Sequence, residues 1–193
     1  NMMREKIENI LRAALEFKAS DIHLTVGVPP IFRINGDIKR YGKDILLPPD
    51  TEEIAKITIP ENMYEVFKEK GELDYSYGIP GVSRFRVNAY HQRKSVSLAL
   101  RVVASKMPTI EELDMPKIIP ELVERPQGLI LVTGPTGSGK STTLASMIDY
   151  VNRTMRKHIV TLEDPIEYLH KHGNSIIDQR EVGFDTKSYA NGL

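Results

Sequence analysis

The sequence predicts an α/β protein in two parts, an α+β domain with an antiparallel sheet followed by the beginning of a parallel α/β domain. Short segments of alternating apolar residues and an Asn-Gly turn occupy the first hundred positions. The periodicity lapses at 104–109, where the run Lys106-Met107-Pro108 is typical of a linker. Beyond it, apolar runs alternate with a helical pattern. We therefore expect domains at 1–103 and 110–193, joined by a linker at 104–109.

The first domain begins with an amphipathic helix over residues 3–18, whose apolar side chains share one face: Ile7, Ile10, Leu11, Ala14 and Leu15. The alternation of Ile22, Leu24 and Val26 predicts a strand. The segments 31–34 and 37–40 flank Asn35-Gly36, which favours a type I′ hairpin turn. A second helix should end near Lys70 with Gly71 as its cap, and two further strands are predicted at 83–90 and 95–102.

The second domain shows the order of elements typical of a parallel α/β sheet. The apolar run 128–133 predicts a buried strand, and a helix is predicted from Lys140 to about Arg156, with Leu144, Ile148, Val151 and Met155 at helical spacing. Strands are expected at 158–162 and 175–177. A domain with helices on both faces of its sheet needs roughly twice the residues that remain after position 110. We therefore expect the chain to stop partway through this domain.

The composition argues against several classes of function. The 193 residues contain 26 basic and 26 acidic side chains, so the neutral balance argues against a nucleic-acid partner. The absence of cysteine excludes disulfides and thiolate metal sites. No stretch approaches the roughly 18 apolar residues that would span a bilayer. We therefore expect a cytoplasmic protein that is not inserted in the membrane.

The strongest motif is the phosphate-binding pattern G-x-x-x-x-G-K-[ST], formed by Gly134, Pro135, Thr136, Gly137, Ser138, Gly139, Lys140 and Ser141 and followed by Thr142. Its glycines allow backbone N–H groups to turn toward phosphate oxygens. Lys140 adds a positive charge, and the hydroxyl of Ser141 is suited to Mg²⁺. A chance glycine turn is disfavoured because a predicted strand precedes the loop and a predicted helix follows it. The motif thus predicts binding of a nucleoside triphosphate with Mg²⁺.

Two acids, Glu163 and Asp164, end the apolar run 159–162 and lie 23 and 24 positions after Lys140. A carboxylate beside a phosphate-binding loop can hold the metal ion or orient the attacking water. The alternative is that both acids only cap a following helix.

Arg84, Arg86 and Arg101 are predicted to lie on the polar face of two neighbouring strands. Arginine suits a γ-phosphate because its planar guanidinium is always charged and can form two parallel hydrogen bonds. The alternative is a solvated strand face with surface ion pairs. Asp21 and His23 share a face of the first strand, and two such residues do not make a metal site.

Several segments together resemble the PilT-type retraction ATPases of type IV pili, within the secretion ATPase superfamily. The resemblance covers nearly the whole chain, and the segments that carry it are 19–24, 71–77, 84–90, 134–142, 162–167 and 179–182. It implies a PAS-like N-terminal domain followed by a RecA-like P-loop ATPase domain that ends here before its Walker B strand. It also implies that 162–167 is the acidic box, with Glu163 as the catalytic base, and that arginines of the first domain and linker approach the nucleotide.

The resemblance further implies an ATP-hydrolysing homohexamer that powers pilus retraction and twitching motility. Its partner would be the inner-membrane platform protein of the pilus, so the motor would work at the inner face of the cell membrane without entering it. Two alternatives stay open: a pilus assembly or type II secretion ATPase, and a nucleotide-binding fragment without turnover. A nucleic-acid motor with a RecA-like core is disfavoured by the neutral charge.

Overall fold

The computed structural model describes all residues from Asn1 to Leu193, which form two compact units. The N-terminal unit comprises Asn1–Val103 and the C-terminal unit Ala104–Leu193. No helix in either unit combines the length and apolar character that crossing a membrane requires.

The N-terminal unit is a six-stranded antiparallel sheet with three helices. The strands, in chain order, are β1 Asp21–Leu24, β2 Ile31–Ile34, β3 Asp37–Arg40, β4 Glu72–Ile79, β5 Ser83–Gln92 and β6 Ser95–Val102. The helices are α1 Met2–Glu16, α2 Pro48–Thr58 and α3 Tyr64–Lys70. The strand order is β3-β2-β1-β6-β5-β4, and every neighbouring pair is antiparallel.

Apolar side chains of alternate strand positions form the core with the helices. Ile22, Phe85 and Leu100 are fully buried, as are Leu11 of α1 and Ile54 of α2. Because successive strand residues point to opposite faces, the same alternation places the polar residues of β1, β5 and β6 on the other face. That face carries Arg84, Arg86 and Arg101.

A chain of buried hydroxyls fixes α2 against the sheet. Thr58 Oγ1 lies 2.9 Å from the carbonyl oxygen of Ile54, to which it donates, and 2.7 Å from the hydroxyl of Tyr75. A threonine hydroxyl has one hydrogen, so Tyr75 is the donor in the second bond. Burial raises the pKa of Tyr75 above its ordinary range, which keeps the phenol protonated as this donor.

The predictions for this unit are largely confirmed. The hairpin of β2 and β3 has the expected bounds, and Asn35 and Gly36 have φ of 52° and 82°, as a type I′ turn requires. Gly71 ends α3 with φ of 81°. Helix α2 and strand β4 were not predicted, because Pro48 and Pro49 obscure the start of α2 and polar residues interrupt β4.

The C-terminal unit contains three helices and two parallel strands. The helices are α4 Ile118–Val123, α5 Lys140–Thr154 and α6 Tyr189–Gly192, and the strands are β7 His158–Glu163 and β8 Ile176–Glu181. Strands β7 and β8 pair with Thr161 opposite Gln179 and Glu163 opposite Glu181. The predicted positions of α5 and of both strands are confirmed, with β8 running four residues beyond its predicted end.

Two predictions for this unit are wrong. The run 128–133 is not a strand, and Leu129 and Leu131 are 83% and 75% exposed. A strand is stabilised by hydrogen bonds to a neighbouring strand. Strands β7 and β8 pair only with each other, so residues 128–133 have no strand partner. On α5, Leu144 is 44% exposed, whereas Ala145 and Met147 are buried. The buried side of a helix depends on what packs against it, which the apolar spacing alone did not reveal.

Candidate nucleotide-binding site

The predicted phosphate-binding loop is a closed turn at the start of α5. Gly137 and Gly139 have φ of 81° and 96°, in the left-handed region that favours glycine. The hydroxyl of Ser138 donates a hydrogen bond of 2.6 Å to the carbonyl oxygen of Pro135, which also accepts the N–H of Ser138. The ammonium of Lys140 donates to the carbonyl oxygen of Gly134, so the side chain folds back across the loop.

The first turn of α5 is arranged for an anion. Gly139 is its N-cap and has no side chain to satisfy the first helical N–H groups. These groups and the positive end of the helix dipole are the features that bind phosphate. Ser141 lies exposed in this turn. Mg²⁺ commonly takes one or two protein oxygens and completes its shell with phosphate oxygens and water, so a single hydroxyl fits the ion.

No group of three or more His, Cys, Asp or Glu side chains in the chain could hold a metal ion by itself. Asp21 and His23 share a face of β1, and Asp21 lies 3.5 Å from the guanidinium of Arg101 and 4.0 Å from that of Arg33.

Glu163 is the last residue of β7. Its Oε2 accepts hydrogen bonds from the hydroxyl of Thr161 at 2.8 Å and from Nε2 of Gln179 at 3.0 Å. No helix follows Glu163 and Asp164, since residues 164–175 are irregular. The alternative that these acids cap a helix is therefore wrong. Oε1 of Glu163 takes no hydrogen bond from the protein, so this oxygen can accept one from water.

The loop between β7 and β8 is fastened to the end of α5 by Asn152, which is buried. Its Nδ2 donates to the carbonyl oxygen of Lys171 at 2.7 Å, and its Oδ1 accepts the N–H of Gly173 at 2.9 Å. At the start of α5, the hydroxyls of Thr142 and Tyr168 are 3.0 Å apart. Hydrogen bonds thus connect both ends of α5 to the loop that follows Glu163.

His170 lies in the same loop. Burial lowers the pKa of His170, and the nearby negative charges of Glu163 and Asp149 oppose this effect only in part. The imidazole is therefore neutral at neutral pH and adds no positive charge beside Glu163.

In the N-terminal unit, the three predicted arginines lie on one face of the sheet. Arg86 and Arg101 are directly opposite each other on β5 and β6, and Arg84 is two residues from Arg86 on the same strand. Arg86 donates to the hydroxyl of Ser76 at 2.9 Å. Like charges opposite each other destabilise a sheet. Asp21, 3.5 Å from Arg101, and Ser76, which accepts from Arg86, offset this repulsion in part.

Sequence reasoning missed three residues around Glu163: Thr161, Gln179 and Tyr168. Thr161 could have been found, because residues two apart on a strand share a face. Gln179 could not, since its place beside Glu163 depends on the pairing register of β7 with β8. Tyr168 lies in an irregular loop whose path no local pattern predicts.

Comparison with known proteins identifies the family of this chain. Residues 1–188 match the family model described as "Type II/IV secretion system protein". The type IV pilus retraction ATPase PilT of Pseudomonas aeruginosa is 43% identical over 187 residues, which are 97% of this chain and 54% of that protein. The type IV pilus ATPase PilU of the same species is 41% identical over 95% of this chain and 48% of its own length.

A solved structure agrees with these relatives. The crystal structure of the pilus retraction motor PilT with bound ADP has 52% sequence identity and a TM-score of 0.75, over 94% of this chain and 53% of that one. The chain spans about half the length of the curated relatives it matches. The family model covers almost all of it, and the chain belongs to the family of type II/IV secretion system proteins.

Proposed function

We propose that this protein is an ATP-hydrolysing motor that powers type IV pilus retraction. The observation that carries the proposal is the phosphate-binding loop 134–141, which opens α5 in the same unit that holds Glu163 at the end of β7. The 43% identity to a pilus retraction ATPase, and the ADP bound in the similar solved structure, support the same conclusion.

In this proposal the residues of the loop hold the phosphates. The backbone of Gly134–Gly139 and the side chains of Lys140 and Thr142 surround them, and Ser141 holds Mg²⁺. The metal ion would neutralise charge on the phosphates. Glu163 acts as the catalytic base, because a carboxylate held through one oxygen keeps the other for the attacking water.

Arg84, Arg86 and Arg101 are further catalytic residues in this proposal, suited to bind phosphate oxygens. The support is the placement of Arg86 directly opposite Arg101, which brings two positive charges together where an anion would be stabilised. The alternative for Arg101 is a solvated strand face, since its side chain is 78% exposed and its ion pair with Asp21 is 3.5 Å long.

We further propose that the motor works as a homohexamer in the cytoplasm, with a PAS-like domain at 1–103, a linker at 104–109 and a RecA-like domain that begins at 110. The division of the chain into units at Val103 supports the first boundary. The expected partner is the platform protein of the pilus at the inner face of the membrane.

The test measures Mg²⁺-dependent ATP hydrolysis and ATP binding by the full-length gene product and its variants. Lys140→Ala should lose both. Glu163→Gln should lose hydrolysis and keep binding, whereas Arg101→Lys should lower the hydrolysis rate about tenfold, since lysine keeps the charge but not the bidentate geometry. Full turnover by Glu163→Gln would disprove its role as the base, and no turnover by the wild type would disprove the motor.

A pilus assembly or type II secretion ATPase is the second candidate, because the family model that matches the chain is described as "Type II/IV secretion system protein". Deletion of the gene in its own host separates the two directions. Loss of a retraction motor leaves pili that cannot be withdrawn, so pili should remain and twitching motility should stop. A deletion strain without pili would support assembly instead.

A further inference from the structure

Gln179 is the only side chain outside β7 that contacts the Glu163 carboxylate by a hydrogen bond. It lies on β8 directly opposite Thr161. From there its Nε2 donates to Glu163 Oε2 at 3.0 Å, and Thr161 donates to the same oxygen at 2.8 Å. Two donors on Oε2 fix the rotation of the carboxylate. The other oxygen, Oε1, then accepts no hydrogen bond from the protein.

The orientation of the Gln179 amide is itself determined by its surroundings. Its Oε1 accepts the backbone N–H of His170 at 2.9 Å, so the oxygen must face the loop. Its Nε2 is then left with two hydrogens and two acceptors, Glu163 Oε2 and the carbonyl oxygen of Tyr168 at 2.8 Å. The amide oxygen of Gln179 and each of its two amide hydrogens thus make one hydrogen bond. A flipped amide would place its oxygen against a carboxylate and a carbonyl.

The same contacts extend to the phosphate-binding loop. Tyr168, whose carbonyl oxygen binds Gln179, shares a hydrogen bond through its hydroxyl with Thr142 in the first turn of α5. A continuous path therefore runs from Thr142 through Tyr168 and Gln179 to Glu163. Every step is a hydrogen bond of 2.8 to 3.0 Å. Such a path joins the helix that would hold the phosphates to the carboxylate that would activate water.

We propose that Gln179 is a positioning residue for the catalytic base Glu163, and that Tyr168 connects it to the nucleotide-binding helix. This inference rests on the proposed ATPase function. In this role Gln179 acts through the Glu163 carboxylate and not on the nucleotide or the attacking water itself. It acts by holding the carboxylate in the one rotation that presents Oε1, which lowers the cost of orienting the base in each turnover.

The test compares the kcat and the ATP dissociation constant of full-length variants. Gln179→Met keeps the length of the side chain and removes its donors, and we expect kcat to fall five- to tenfold while the ATP dissociation constant stays within twofold. Gln127→Met, the same substitution at an exposed position of the same unit, is the matched control and should leave both constants unchanged.

Gln179→Met also removes the partners of two backbone groups, so a second pair of variants tests the carboxylate alone. Thr161→Val should lower kcat by a similar factor, and Thr161→Ser, which keeps the hydroxyl, should restore it.

The outcomes separate this inference from the proposed function. Wild-type kcat in both Gln179→Met and Thr161→Val, with Glu163→Gln inactive, would overturn the inference and leave the ATPase standing. A joint fall in kcat, ATP affinity and melting temperature for both variants would show a structural role only and would also overturn it. An inactive wild type, or an active Glu163→Gln variant, would instead refute the proposed function.

Discussion

Substitution of Gly134 by alanine tests whether the loop seen here is the conformation that binds nucleotide. A Cβ added at Gly134 would lie 2.6 Å from Oγ of Ser138 and 3.3 Å from its Cβ. Because 2.6 Å is closer than carbon and oxygen atoms approach without bonding, the Ser138 hydroxyl must rotate away. It would then lose its hydrogen bond to the carbonyl oxygen of Pro135.

The cost has two parts. Loss of the Ser138 hydrogen bond costs about 1 kcal/mol. Gly134 has φ of 156°, and alanine at a positive φ costs at least about 1 kcal/mol. Where the free loop of the variant relaxes out of this conformation and nucleotide binding must restore it, the sum of about 2 kcal/mol raises the ATP dissociation constant about thirtyfold.

Equilibrium binding of a fluorescent ATP analogue to the full-length protein measures this effect, with two controls. Gly128→Ala, at a positive φ with no atom within 4 Å of the added Cβ, lies outside the loop and should leave affinity unchanged. In a Ser138→Ala background the hydrogen bond is already absent, so Gly134→Ala should cost only about 1 kcal/mol, or about fivefold. An equal penalty in both backgrounds, or none in either, would refute the reasoning.

Two further predictions concern stability. Thr58→Val leaves the buried Tyr75 hydroxyl without its acceptor and should lower the free energy of unfolding by about 1–3 kcal/mol. Tyr75→Phe removes the donor instead and should lower it by only about 1 kcal/mol. Urea unfolding that ranks the two variants in the opposite order would contradict the donor assignment. Because the pKa of His170 is lowered by burial, the unfolded chain binds a proton that the folded chain does not. The free energy of unfolding should therefore be highest above about pH 6.5 and decrease as the pH is lowered. The melting temperature of His170→Gln should decrease less than that of the wild type over the same pH range.

Features that depend on a few neighbouring residues could be predicted from the sequence. The β2–β3 hairpin follows from the preference of Asn35 and Gly36 for positive φ, and the start of α5 follows from the glycine loop that precedes it. Both are local, since turn chemistry and helix initiation act within about one turn of the chain. The acids at the end of β7 were predicted for the same reason.

Features that depend on pairing between distant segments needed the tertiary structure. Asp21 is brought beside Arg101 because β1 pairs with β6, and Gln179 is brought to Glu163 because β8 pairs with β7 in one register. A shift of one residue in that register would turn Gln179 to the other face. The exposure of Leu129 and Leu131 likewise reflects which strands pair. The sequence by itself thus determined the motif and the chemical groups of this protein. Only the tertiary structure decided which groups meet, because strand pairing depends on long-range packing that no local pattern contains.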